Sequence, residues 1–148
     1  MRLLFLLAAA LVFSGCESFP ERLGQRFAPP TPKEEVYEHD MATVFVAAQQ
    51  ALQGLDYQIT RTAQAQGILN GQSRLLPTER FGRSDQYVLE VRLRALDGDA
   101  TSVAAVLYEV SEGEFVAGGT STPIREHGRY ASFFETLNAL LPRDEAAP

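Results

Sequence analysis

Apolar residues along this chain form an unbroken run near the N-terminus, then stripes with a helical period, then a long region that alternates. In "DMATVFVAAQQALQGLD", Val44, Ala47, Ala48, Ala51 and Leu52 fall at i, i+3, i+4, i+7 and i+8, which places them on one side of a helix. Asp40 is suited to accept from the free amides of the first turn, and Gly54 to take the left-handed position at the end, so the spacing predicts a helix over 41–53. A second stripe closes the chain: Tyr130, Phe133, Phe134, Leu137 and Leu141 recur at helical intervals and Pro142 stops them. Gly128 argues for a start near Glu126, although Thr122-Pro123 could itself serve as a cap.

Between these stripes the period drops to 2. "LDYQITRTA" sets Tyr57 and Ile59 against Gln58 and Thr60, Gln66-Gly67 signals a turn, and "GILNGQSRLL" reads as a less regular strand. The clearest strand is "DQYVLEVRLRAL", with Tyr87, Leu89, Val91, Leu93 and Ala95 on one face and Val88, Glu90, Arg92 and Arg94 on the other. Turns through Asp97-Gly98 and Gly113 then separate "TSVAAVLYEV" and "EFVAGGTST". Ahead of the first helix, "KEEVYEHD" alternates enough for a short edge strand. The predicted fold is α+β: an antiparallel meander of four to five strands with two helices on one face, in the order β-α-β-β-β-β-β-α.

The N-terminus changes the picture from fold to address. Met1-Arg2 precedes the apolar run Leu3 to Phe13, which is too short for a bilayer span of about 20 residues and fits a signal-peptide core of about 7–15. Ser14 and Gly15 then precede Cys16, the chain's only cysteine. This arrangement resembles the lipobox of bacterial lipoproteins, with Phe13 in place of the usual leucine. The resemblance implies cleavage before Cys16, acylation of its thiol, and membrane attachment through that lipid. Multiple acyl chains on one cysteine would meet the need for more than one anchoring signal. Glu17, where aspartate would imply inner-membrane retention, implies an outer-membrane address with the domain facing the periplasm.

The expected organisation is therefore a signal peptide over 1–15, a lipidated tether over 16–32, a domain over 33–142 and a polar tail over 143–148. Pro20, Pro29, Pro30 and Pro32 stiffen the tether, and its Phe19, Leu23 and Phe27 could rest on lipid or dock on a partner. Losing Arg2 with the signal peptide takes the formal charge from −6 to about −7, and the one lysine is Lys33. Such an acidic chain is a poor match for nucleic acid, whose partners present basic surfaces.

Little in the chain points to catalysis. No Gly-x-Ser-x-Gly elbow, HExxH or CxxC spacing occurs. His39 and His127, with Glu38, Asp40 and Glu126 nearby, are placed to begin helices rather than to hold a metal, and Gly118-Gly119 has no following Lys-Ser/Thr to make a phosphate loop. The acidic pairs Asp97/Asp99 and Glu112/Glu114 sit in turns. No cofactor, metal or enzymatic activity is expected, with an envelope hydrolase left as a third alternative behind binding and ligand-uptake roles.

Two surfaces stand out. "RLLPTERFGRSD" interleaves Arg74, Arg80 and Arg83 with Leu75, Leu76 and Phe81 and is longer than a hairpin needs. It reads either as a recognition loop for an anionic or amphipathic partner or as a core plug whose leucines and phenylalanine fold inward. The polar strand face, with Glu90, Arg92, Arg94 and Tyr108, reads either as a partner surface or as an ordinary solvated face. A further alternative is a lipid or small-ligand site between sheet and helices near Leu75, Leu76, Phe81 and Tyr130. Finally, "VFVAAQQALQGLDYQI", "YVLEVRLRAL" and "FFETLNALL", behind a lipobox and a Pro-rich tether, resemble the domains of BamC-like lipoproteins of the outer-membrane β-barrel assembly machinery. That resemblance implies a scaffold or protein-binding role.

Overall fold

The computed structural model describes residues 29–77, 83–113 and 120–142. The expected signal peptide, Cys16 and most of the expected tether lie outside the described residues. The elements in chain order are β1 (Lys33–Tyr37), α1 (Met41–Gly54), β2 (Gln58–Ala63), a short 3-10 turn (Gln64–Gln66), β3 (Ile68–Gln72), β4 (Leu76–Pro77), β5 (Arg83–Ala95), β6 (Thr101–Gly113), β7 (Thr120–Ile124) and α2 (Gly128–Leu140).

All strands belong to one antiparallel sheet with the order β1-β6-β5-β3-β2, β4 continuing alongside β5 and β7 alongside β6. This is the α+β meander the alternation predicts, with two differences: it has seven strands instead of four to five, because the short pieces β1, β4 and β7 each pair along a long strand, and β1 crosses to the far edge and shares β6 with β7. β1 pairs with 101–105 and β7 with 107–111, so the two short strands lie end to end along one long strand.

Alternation in β5 is obeyed. Leu89, Val91 and Leu93 face inward with Leu69, Val103, Ala105 and Leu107, and both helices bury their stripes on that face through Val44, Ala48, Leu52, Phe133 and Leu137. Side chains of period 2 on the sheet and period 3.6 on the helices thus meet in one layer of core. Gly71 of β3 lies where α1 comes closest: a Cβ there would stand 3.1 Å from both Leu52 Cδ1 and Tyr57 Cβ.

Helix ends follow the predicted chemistry with two corrections. Asp40 caps α1, accepting from Ala42 N (2.9 Å) and Thr43 N (3.1 Å). The left-handed residue after this helix is Asp56 (φ 62), not Gly54, which is still helical. His127 caps α2 through Nδ1, which accepts from Arg129 N at 3.1 Å, and Gly128 is the first helical residue. Thr122 and Pro123 belong to β7 instead of a cap, and Gly113 ends β6 opposite Arg83 instead of turning the chain. Gly113 is held in the ladder because β5 and β6 stay in register over 13 residues each, further than their alternation shows, and Thr122 and Pro123 are held by pairing with Glu109 and Tyr108. The Gly118-Gly119 pair lies outside the described residues. Among those described, no helix is long and apolar enough to cross a membrane.

Candidate functional site

Of the segment singled out in the sequence, 74–85, both described ends run into the sheet, and 78–82 lie outside the described residues. Leu76 and Pro77 pair with Asp85 and Ser84, and Arg83 opens β5. The chain leaves β3 through Ser73, whose N–H donates to Tyr87 O (2.8 Å) and whose hydroxyl accepts from Tyr87 N (2.9 Å). One side chain thereby replaces a ladder contact, and the ladder resumes shifted by one residue at Leu76. Arg80 and Phe81 lie outside the described residues, and only the backbone of Arg83 is described.

Leu75 and Leu76 do not plug the core. They are 55% and 41% exposed, which corrects that alternative for these two residues, while Phe81, its third member, lies outside the described residues. The proposed site between sheet and helices is also corrected at Tyr130, which is buried and whose hydroxyl accepts from Leu107 N and donates to Ile124 O, both at 2.7 Å. Tyr130 is a core anchor, not the wall of a ligand pocket.

Arg74 and Leu75 instead border a cleft of about 550 Å³ where the end of α1 meets the corner of β2 and β3. Its other walls are mostly side-chain amides: Gln53 from α1, Gln58, Gln72 and Gln86 from the strands. Register explains their convergence, because Gln58 faces Gln72 directly and Gln86 lies two residues before Val88, the partner of Gln72. Gln72 donates through Nε2 to Gln86 Oε1, and Gln86 Nε2 donates to Ser73 O at 2.7 Å. This leaves a neutral, pre-oriented polar wall. Arg74 lies 3.5 Å from Asp56 in an exposed pair, worth little to stability.

Tyr57 forms the floor of the cleft and is itself buried. Behind it the Arg129 guanidinium lies 4.3 Å from the Tyr87 ring centroid and 6.0 Å from that of Tyr57, and its Nη1 donates to Tyr57 Oη at 3.4 Å. Burial pushes the Tyr57 phenol up, and Arg129 pulls it partly back. Tyr87 also stacks at a tilt on His127, at 5.3 Å. Arg129 Nε is buried without an acceptor among the described residues. No sequence motif announces this cluster: its members come from the end of α1, β5 and the start of α2, and only the folded register brings them together.

The outer sheet face holds its predicted residues. Glu90, Arg92 and Arg94 line β5 opposite Val106, Ala104 and Ser102, while Tyr108 is paired with Val88 and Pro123. Burial and the nearby Glu90 raise the Tyr108 phenol. Arg94 reaches Glu34 of β1 at 3.8 Å, and Ser102 also bonds Glu34. Among the described residues no group of three His, Cys, Asp or Glu side chains could hold a metal ion. His39 contributes its carbonyl, which accepts from Thr101 Oγ1 at 2.8 Å, while Asp40 does the capping.

No family model matches the chain. No curated protein matches it in sequence. Among solved structures it is similar to the adenylate sensor from AMP-activated protein kinase, crystallised in complex with ZMP, at 12% identity and a TM-score of 0.48, over 71% of this chain and 94% of that one. A likeness this loose carries no function across.

Proposed function

We propose that the chain is a lipoprotein held in the outer membrane through acyl chains on Cys16, and that its periplasmic α+β domain is a non-enzymatic module that binds another protein of the envelope. The observation that carries the binding role is the exposed Leu75–Leu76 ledge beside the amide-lined cleft. Leu75 and Leu76, adjacent and exposed where β4 begins, already face water, so each gains apolar burial when a partner covers it. The cleft adds neutral hydrogen-bonding amides and Arg74 at its border, the mixture of apolar centre and polar rim that protein partners use. Support for the anchor comes from the sequence around Cys16. A BamC-like scaffold role accords with the helix, meander and helix order.

The test is photo-crosslinking in intact cells with a benzophenone side chain at Leu75 or at Leu76, in the chain that carries Cys16. A discrete protein adduct is expected, reduced when Cys16→Ser frees the domain from the membrane and absent with the probe on exposed Gln50 of α1. Adducts to lipid alone, or a pattern identical to that from Gln50, would sink the protein-binding reading.

A further inference from the structure

Strand β1 ends the sheet and, among the described residues, is hydrogen-bonded on one side only, to β6. In an antiparallel strand alternate residues turn their N–H and C=O away from the partner, so the outer edge of β1 presents main-chain groups ready for another strand. Helix α2 flanks that edge. Between them lie two adjoining hollows, of about 410 and 330 Å³, that share Val36, Tyr37, Glu135 and Asn138. Together they make a groove with a strand edge on one side and a helix on the other. Five extended residues span about 17 Å, which is the length of β1.

The groove has a definite charge. Glu35, Glu38 and Glu135 line it, all exposed, and among the described residues no lysine or arginine does. Tyr37 donates to Glu35 at 2.8 Å and so steadies one carboxylate beside the edge. Glu38 and Glu135 have no ion-pair partner among the described residues. Phe134 supplies apolar floor.

We propose that this groove takes up a basic segment of another polypeptide as an added strand on β1, its main chain bonding the strand edge and its Arg or Lys side chains meeting Glu35, Glu38 and Glu135. Charge decides the occupant. A second copy of β1 would set glutamate against glutamate, which like-charge pairing disfavours. The tail after Pro142 carries Asp144 and Glu145 against Arg143 and has the same sign as the groove. The residues that lead into β1 include Pro29, Pro30 and Pro32, whose fixed φ favours extended chain over the reversal needed to lay the tether back along its own edge. The site is separate from the Leu75–Leu76 ledge and can be tested without it.

The experiment is fluorescence anisotropy on the full lipidated chain in detergent micelles, with a labelled short peptide of alternating arginine and valine. Binding is expected, weakened about tenfold by Glu135→Lys. It should be lost when alternate peptide amides are N-methylated and when glutamate replaces arginine in the peptide. Glu135 is on the solvent side of α2, so its variant should keep the parent's melting midpoint, and Glu38→Lys provides a second exposed site. Equal affinity for the N-methylated peptide would overturn strand addition. Affinity unchanged in both charge variants, or no binding of the arginine-valine peptide, would overturn the groove as the site.

Discussion

Gly67 approaches Leu93 so closely that a Cβ on Gly67 would lie 2.0 Å from the Leu93 carbonyl oxygen. The two are also bonded, Leu93 N donating to Gly67 O at 2.7 Å, and Gly67 holds φ at +63. Glycine is therefore needed twice here, for the left-handed backbone that ends the 3-10 turn and for the space that lets β3 begin beside β5. Gly67→Ala should destabilise by more than the roughly 1–3 kcal/mol of a strained backbone alone. Gly98, at φ +74 with open space around it, is the control, since Gly98→Ala carries only the backbone penalty. Chemical denaturation of both variants checks the difference, and equal losses would mean the close approach to Leu93 has no energetic weight.

Phe133 is fully buried at the centre of the α2 stripe and meets Phe134 edge-on, with ring centroids 5.2 Å apart. Phe133→Ala should remove about 3–5 kcal/mol, the usual range for truncating an aromatic in a packed core. Val46→Ala, on the exposed side of α1, should be nearly silent by comparison. Thermal melts that failed to separate the two would contradict the packing of α2 on the sheet.

How much of this was legible in the sequence depends on how local each cause is. The α1 stripe and its Asp40 cap are written in consecutive residues, as are the alternation of β5 and the Asp97-Gly98 turn, and each stands where the pattern puts it. The end of α1 was misplaced because Gly54 and Asp56 can both occupy a left-handed position, and the choice falls to the packing of Leu55 and Tyr57. The reach of β5 to Arg83 is hidden because Ser84, Asp85 and Gln86 have no apolar alternation, and their strand character comes from pairing with Glu112, Ser111 and Val110. The cleft was hidden for a similar reason: Gln53, Gln58, Gln72 and Gln86 are unremarkable alone and converge only through register. The β1–α2 groove needed the crossover of β1 to the far edge, which no local pattern records.

Stability should fall at both ends of the pH scale for identifiable reasons. Asp40 is held below the ordinary carboxylate range, first by the Thr43 hydroxyl and then by the Thr43 amide. A folded pKa below the unfolded one means stability present above about pH 4 and lost as pH falls through the lower folded value. The phenols of Tyr37 and Tyr57 are raised, each chiefly by burial, so their contribution is present below about pH 10 and lost as pH rises through their folded values. Melting midpoints followed across pH should therefore drop on the acid side in the parent and less so in Asp40→Asn. On the alkaline side, Tyr37→Phe should soften the drop. Parallel profiles for parent and variants would show that other groups set the limits.

Tyr130 offers the sharpest separation of hydrogen bonding from packing. Leu107 and Ile124 are register partners in β6 and β7, yet the Leu107 amide donates to Tyr130 Oη, which in turn donates to Ile124 O. A helix side chain thus stands inside the strand ladder and ties α2 to β7, and through β7 to the long strand it borders. Tyr130→Phe keeps the ring and its burial while removing the bridge, so the Leu107 amide is left without its acceptor unless β7 closes the gap. An unsatisfied buried donor costs about 1–3 kcal/mol. Hydrogen exchange distinguishes the two outcomes: the bridge predicts faster exchange at Leu107 and along β7, with β3 and its pairing to β5 unaffected. A loss of stability spread evenly over the whole sheet, with no local change at Leu107, would instead mean that the hydroxyl contributes only through the packing of its ring.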